Sequence, residues 1–375
     1  MTTSDQPVLF DTITTASGHR FGRATLNAPA SLHALSLAMV DLLDPQLKAW
    51  ADDPQVAGVI LDATGDKAFC AGGDVVGLCH AIRALPAGEV PPIAHDFFER
   101  EYRLDHRIHT YPKPFVCWGH GFVMGGGIGL MAGASHRVAT PRTRMAMPEI
   151  NIGLYPDVGG SWILSRLPGK TGAFLALTGA HLNAADALFA GLADFAVPHE
   201  RHADLLQGIA AASWAGEREA DDAQLSHLLE RLGQGVALPA SPLRTHFDRI
   251  NAVIGHDRLS DMAPRLAALA SDSDPWLAQA GATFTKGSPT SAALSLEMLR
   301  RARLLSLADT FRLELQASVG CCAHPDFAEG VRALLVDKDK NPRWQPATLA
   351  EVTHEWIADH LRPRFTGPHP LADLT

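Results

Sequence analysis

Apolar and polar positions alternate through VLFDTIT and RFGRATL on either side of Ser17-Gly18, which predicts a hairpin over residues 8–26. Apolar residues then recur at helical spacing at Leu35, Met39, Leu42, Leu43, Leu47 and Trp50, with Pro45 expected to kink or break the helix. VAGVILDA reads as a buried strand and TGDKAFCAGGD as a loop. A helix-prone stretch runs to about Arg107, and the apolar strand Pro114–Gly121 leads through a triple glycine into a second helix. HRVAT and RMAMP read as short strands, DVGGSWILSRLPG as a short helix, and NAADALFAG as a helix capped by Asn183 and ended by Gly191. FAVP is the last strand. Beyond Pro198 the leucine and alanine periodicity is helical, broken at GQGVALPASP and TKGSPTS. The pattern predicts an α/β protein with a strand-rich core over 1–200, a helical region over 201–375 and a softer boundary near 286.

Of the 375 residues, 46% are hydrophobic and 19% charged, which excludes a disordered or fibrous chain. A net charge of −9 gives no general basic field for a nucleic-acid backbone or an anionic membrane. Pro114–His136 lacks Asp, Glu, Lys and Arg and has the length of a membrane span, but its seven glycines and two histidines favour a buried strand, loop and helix. Cys70, Cys79, Cys117, Cys321 and Cys322 are odd in number and two are adjacent, which fits a reducing compartment. The opening MTTSDQPVLFD resembles neither a secretory signal nor a transit peptide, so a cytoplasmic location is expected.

Two glycine-rich turns each follow an apolar strand, CAGGD (Cys70 to Asp74) and MGGGIG (Met124 to Gly129). Such turns can aim free N–H groups at a developing negative charge, or serve only as tight connections. Glu149 and Asp157 flank a loop holding Gly153 and Pro156, a spacing open to acid–base or nucleophilic work and equally to helix capping, above all for Asp157. No G-x-S-x-G elbow is present. His106/His109 and His199/His202 have HxxH spacing without the context of a metal site, so none is expected. Gly127, Gly129 and Ala132, with Glu149 downstream, fit a dinucleotide fingerprint, which leaves CAGGD and the helical half unexplained.

At KAFCAGGDV, HGFVMGGGIGL, AMPEINIGLYPDVGG, LPGKTGAFLALTG and FAEGVRALLVDKDKNPRW the sequence resembles the crotonase (enoyl-CoA hydratase/isomerase) superfamily, and its C-terminal ending resembles the thioester-hydrolase branch. That resemblance implies a spiral of ββα units, with the helical C-terminal region covering an acyl-CoA cleft. It further implies hydrolysis of a 3-hydroxyacyl-CoA thioester, foremost 3-hydroxyisobutyryl-CoA in valine catabolism. The backbone N–H groups of Gly73 and Gly126 would form the oxyanion hole. Glu149 and Asp157 would be catalytic, and Glu101, Gly72, Asp74 and Gly125 would contact substrate. Lys338 is a candidate contact for the CoA phosphates. CoA is part of the substrate, and neither metal nor redox cofactor is implied. Of the two glutamates that hydratases use, the second aligns with Glu149 and the first with Gly129. Enoyl-CoA hydration or isomerisation on the same fold is the alternative. The expected partner is the acyl-CoA, not nucleic acid or membrane, and a homo-oligomer is left open.

Overall fold

The structure is a computed structural model that describes residues 6–255 and 258–375. β1 (Val8–Thr14) and β2 (Arg20–Leu26) form the expected hairpin, in antiparallel register from Val8↔Leu26 to Thr14↔Arg20. α1 (Leu37–Asp52) starts after Ser36, whose hydroxyl accepts the Met39 N–H, and it runs through Pro45. Burial of Met39, Val40, Leu43, Leu47 and Trp50 along one face outweighs the bond that proline cannot make.

β3 (Val56–Ala63) is followed by β4 (Ala68–Cys70), α2 (Val76–Arg83) and α3 (Pro92–His109). β5 (Phe115–Gly119) and β6 (Phe122–Met124) lead into α4 (Gly126–Ala132), and β7 (His136–Ala139) and β8 (Arg144–Ala146) precede α5 (Gly160–Leu164). The charge-free stretch is therefore two strands, a helix and the start of a third strand, and no helix among the described residues is long and apolar enough to cross a membrane. α6 (Thr171–Thr178), β9 (Leu182–Asn183), α7 (Ala184–Ala190) and β10 (Phe195–Ala196) close the strand-bearing part. Asn183 caps α7 reciprocally with Asp186, and Gly191 ends it in a left-handed conformation, as expected.

β2, β3, β5, β7 and β10 run parallel in a six-stranded sheet of order β1-β2-β3-β5-β7-β10, and a four-stranded sheet has the order β4-β6-β8-β9. Each of the pairs β3/β4, β5/β6 and β7/β8 places one strand in each sheet before the chain turns helical. This is the ββα repeat that the resemblance implied.

Among the described residues from 202 onward every regular element is helical, the α-helices being α8 (His202–Ala211), α9 (Arg218–Gly233), α10 (Pro242–Thr245), α11 (Phe247–Ile254), α12 (Leu259–Ala268), α13 (Pro275–Lys286), α14 (Pro289–Ala302), α15 (Leu307–Ala323), α16 (Pro325–Val331) and α17 (His354–His360). The compact units, however, do not divide near residue 200. One comprises the chain up to Gly73, Leu104–Met145 and Leu182–Ser241; the other comprises Asp74–Arg103, Ala146–His181 and Pro242–Thr375. Packing explains the difference for the first unit. Leu205 and Ile209 of α8 and Leu225, Leu228, Leu229 and Leu232 of α9 are buried in one cluster with Phe21, Ile60, Val116, Trp118 and Val138 of the large sheet. Those two helices belong to the sheet they cover. In the second unit α14 packs on α5 and α6, and α15 packs on α16 and α17.

Candidate functional site

In the first unit, β4 and β6 are parallel neighbours, with Ala68 opposite Phe122 and Cys70 opposite Val123. Parallel strands release the chain at the same sheet edge, so the CAGGD and MGGG turns emerge side by side. Gly72 has φ +110°, and a Cβ there would stand 3.5 Å from the Met124 carbonyl oxygen, so the two turns touch backbone to backbone. The Gly72 carbonyl accepts the Leu35 N–H at 2.7 Å, whereas no backbone acceptor among the described residues takes the N–H of Gly73. Gly125 has φ 44° and ψ −116°, and Gly126 is the first residue of α4, where an N–H has no partner within its own helix. Two adjacent turns thus each offer a free backbone donor, which is what a developing oxyanion requires. Asp74, the last residue of CAGGD, is exposed, and Gly125 and Gly126 are buried.

The second unit holds the acids. Glu101 on α3 is 2% exposed, Glu149 and Asp157 are each 5% exposed, and Glu314 on α15 is fully buried. Glu149 opens a short 3₁₀ turn, Glu149–Ile152, which ends at Gly153 in a left-handed conformation. Its Oε2 has no hydrogen-bond partner among the described residues, and the same holds for Oε1 of Glu101. Burial pushes the carboxyls of Glu101 and Glu149 well above the usual range, and the charge of Asp157 pushes both further. Burial also raises Asp157 to about 6, against the lowering effect of the Tyr102 hydroxyl, whose oxygen lies 2.6 Å from Oδ2. No positive group features among the causes of these three shifts. Carboxyls that repel one another in a dry environment share out protons, so one can act as an acid while another acts as a base or nucleophile.

Asp157 does not cap α5. The carboxylate of Glu314 does, accepting the N–H groups of Gly159 at 2.7 Å and Ser161 at 2.9 Å. Burial raises Glu314 to about 8 even so. Glu314, Tyr102, Tyr155 and Ser318 escaped the sequence reading. Tyr102 and Tyr155 lie beside Glu101 and Asp157 in EREY and GLYPDVGG, where adjacency was the available signal. Glu314 and Ser318 sit four apart on one buried face of α15, and in LELQASVG nothing sets them apart from an ordinary amphipathic helix. Among the described residues no three His, Cys, Asp or Glu side chains gather as a metal cage, and the five cysteines are free and buried. Lys338 is exposed, with φ 58°.

The family described as enoyl-CoA hydratase/isomerase matches residues 21–361. The chain is 41% identical over 343 residues to a Gallus gallus protein named 3-hydroxyisobutyryl-CoA hydrolase, mitochondrial, covering 91% of this chain and 86% of that protein. The Homo sapiens protein of the same name is 37% identical over 342 residues, with the same coverage of 91% and 86%. Among solved structures, a carnitinyl-CoA dehydratase from Mycobacterium thermoresistibile superposes with a TM-score of 0.83 at 37% identity, over 96% of this chain and 97% of the other. An enoyl-CoA hydratase from Rhodobacter sphaeroides 2.4.1 gives 0.81 at 35% identity, over 96% and 98%. These likenesses set aside a dinucleotide fold for Gly127 and Gly129.

Proposed function

The chain belongs to the enoyl-CoA hydratase/isomerase family, and from that premise we propose that it hydrolyses 3-hydroxyisobutyryl-CoA to 3-hydroxyisobutyrate and CoA, a step of valine catabolism. The observation that carries the reading is Glu149, a dehydrated carboxyl with one oxygen left unpartnered. A group kept so has its own desolvation to lose and an incoming electrophile or water to gain. The names of the vertebrate relatives support the substrate.

In this mechanism the N–H groups of Gly73 and Gly126 stabilise the oxyanion of the tetrahedral intermediate. Glu149 attacks the thioester carbon to give a mixed anhydride, or deprotonates the water that does. Asp157 holds the 3-hydroxyl or the hydrolytic water, and Glu101, Gly72, Asp74 and Gly125 contact the substrate. CoA departs as thiolate and takes up a proton. Lys338 is assigned to the CoA phosphates. No metal or redox cofactor takes part, and neither nucleic acid nor membrane is a partner. After a single turnover in ¹⁸O-water, label in Glu149 identifies an anhydride that water opens at the glutamyl carbonyl, because direct attack of water on the thioester leaves label only in the product.

The two solved structures, named as a dehydratase and a hydratase, favour a second reading, hydration or dehydration of an enoyl-CoA. Against it stands Gly129, where the resemblance to hydratases calls for a glutamate. Thiol release from 3-hydroxyisobutyryl-CoA, set beside hydration of crotonyl-CoA, decides between the readings. We assign the protein to the cytoplasm on its free cysteines, although the relatives are named as mitochondrial; fractionation of the source cells tests this.

A further inference from the structure

Behind Asp157 lies a run of three buried hydroxyls. The Tyr102 hydroxyl is 2.6 Å from Asp157 Oδ2 and 2.6 Å from Ser318 Oγ. Ser318 Oγ is 2.9 Å from the Tyr155 hydroxyl, which donates to the Glu314 backbone carbonyl at 2.7 Å. Tyr102, Tyr155 and Ser318 are all fully buried.

Counting protons separates the two charge states of the acid. The carbonyl at the far end can only accept, so Tyr155 spends its proton there. If Asp157 is ionised, Tyr102 spends its proton on the carboxylate, and the one proton of Ser318 must serve two tyrosine oxygens. One of the close oxygen–oxygen contacts is then left without a proton, which is repulsive in a dry site. If Asp157 is protonated, its O–H donates to Tyr102, Tyr102 to Ser318, Ser318 to Tyr155 and Tyr155 to the carbonyl. Every contact is then a hydrogen bond.

We propose that Tyr102, Ser318 and Tyr155 form a one-way hydroxyl relay that holds a proton on Asp157, making these three positioning residues for an acid. The function of that acid rests on the placing of Asp157 at the reaction given above and adds to it: besides holding the 3-hydroxyl or the water, Asp157 supplies the proton that the departing CoA thiolate takes up. When that proton leaves, the Tyr102 O–H swings to the carboxylate and one contact in the relay opens. Rebinding a proton from water closes it again. The other titratable groups that feel the charge of Asp157 are Glu101, Glu149, Glu314, Cys321 and Cys322, none of them cationic, so none holds Asp157 ionised.

The test is an infrared titration of the intact protein, following the carboxylic C=O band that disappears in Asp157→Asn. In Ser318→Ala, and equally in Tyr155→Phe, which removes the end of the relay remote from Asp157, Tyr102 can serve the carboxylate with no contact left open. The band should then be lost at least about one pH unit lower than in the unaltered chain, a tenfold change in proton affinity. If either folded variant titrates at the same pH or higher, the relay is overturned. The pH profile of thiol release is read on the same variants. If the infrared midpoint moves and the alkaline limb of hydrolysis moves with it, both relay and role stand. If the midpoint moves and the limb stays, the relay stands and the assigned role of Asp157 in the reaction falls.

Discussion

Gly125 holds φ 44° and ψ −116°, a combination closed to residues with a Cβ at a cost of about 1–3 kcal/mol. That strain is what turns the chain from β6 into α4 and exposes the N–H of the next residue. Gly125→Ala should therefore cost about 1–3 kcal/mol of stability in urea titrations and lower kcat for thiol release by about 10²- to 10³-fold, the usual effect of losing one oxyanion donor. A folded variant with the turnover of the unaltered chain would remove the MGGG turn from the site. At this scale the sequence was informative where chemistry demands an unusual residue: the paired glycine turns and the Glu149/Asp157 loop both stand out in the text of the chain. It was silent on Glu314 and Ser318, because a buried polar residue on an otherwise apolar helix face is written with the same letters as a solvated one.

The elements followed the same division. Long apolar runs such as VAGVILDA and capped helices such as NAADALFAG were legible because each is decided locally, by side-chain period and by a cap. The three-residue strands β4 and β6 were not, since a strand that short owes its existence to its neighbour in the sheet. α5 is another case decided at a distance: its first N–H groups are satisfied by a carboxylate on α15, 155 residues further along the chain in the case of Gly159. Glu314→Ala should leave both buried donors unpaired and lower stability by about 2–4 kcal/mol, while Glu314→Gln, which keeps one acceptor, should lose roughly half of that. Urea midpoints at fixed pH measure the difference. Equal losses in the two variants would mean that the cap contributes little.

Taken as a whole, the molecule carries two opposed sets of buried titratable groups. His109 and His120 are lowered to about 4 by burial, so the unfolded chain binds their protons first as pH falls below about 6.5, and their contribution to stability is lost between 6.5 and 4. Glu314 is raised to about 8, so the folded chain binds more protons there, and stability falls as pH rises from the usual carboxylate range through 8. As pH rises beyond about 7.5 an unfolded imidazole has also shed most of its proton, so the histidines fade from the balance and the falling contribution of Glu314 remains, in the same direction as those of Glu101 and Glu149. Scanning calorimetry should show the melting temperature of the unaltered chain falling between pH 6.5 and 8 relative to that of Glu314→Gln, by the equivalent of about 1 kcal/mol per pH unit; parallel profiles would contradict the raised carboxyl of Glu314 in the buried acid cluster. That cluster is also the centre of the functional account, and thiol release from 3-hydroxyisobutyryl-CoA by the unaltered chain and by Glu149→Gln, side by side at saturating substrate, tests it most directly. The account predicts steady release by the former and, in the variant, a kcat lower by more than about 10³-fold with CoA affinity retained. A folded Glu149→Gln protein within tenfold of the unaltered rate, or an unaltered protein that hydrates crotonyl-CoA and frees no thiol, would contradict it.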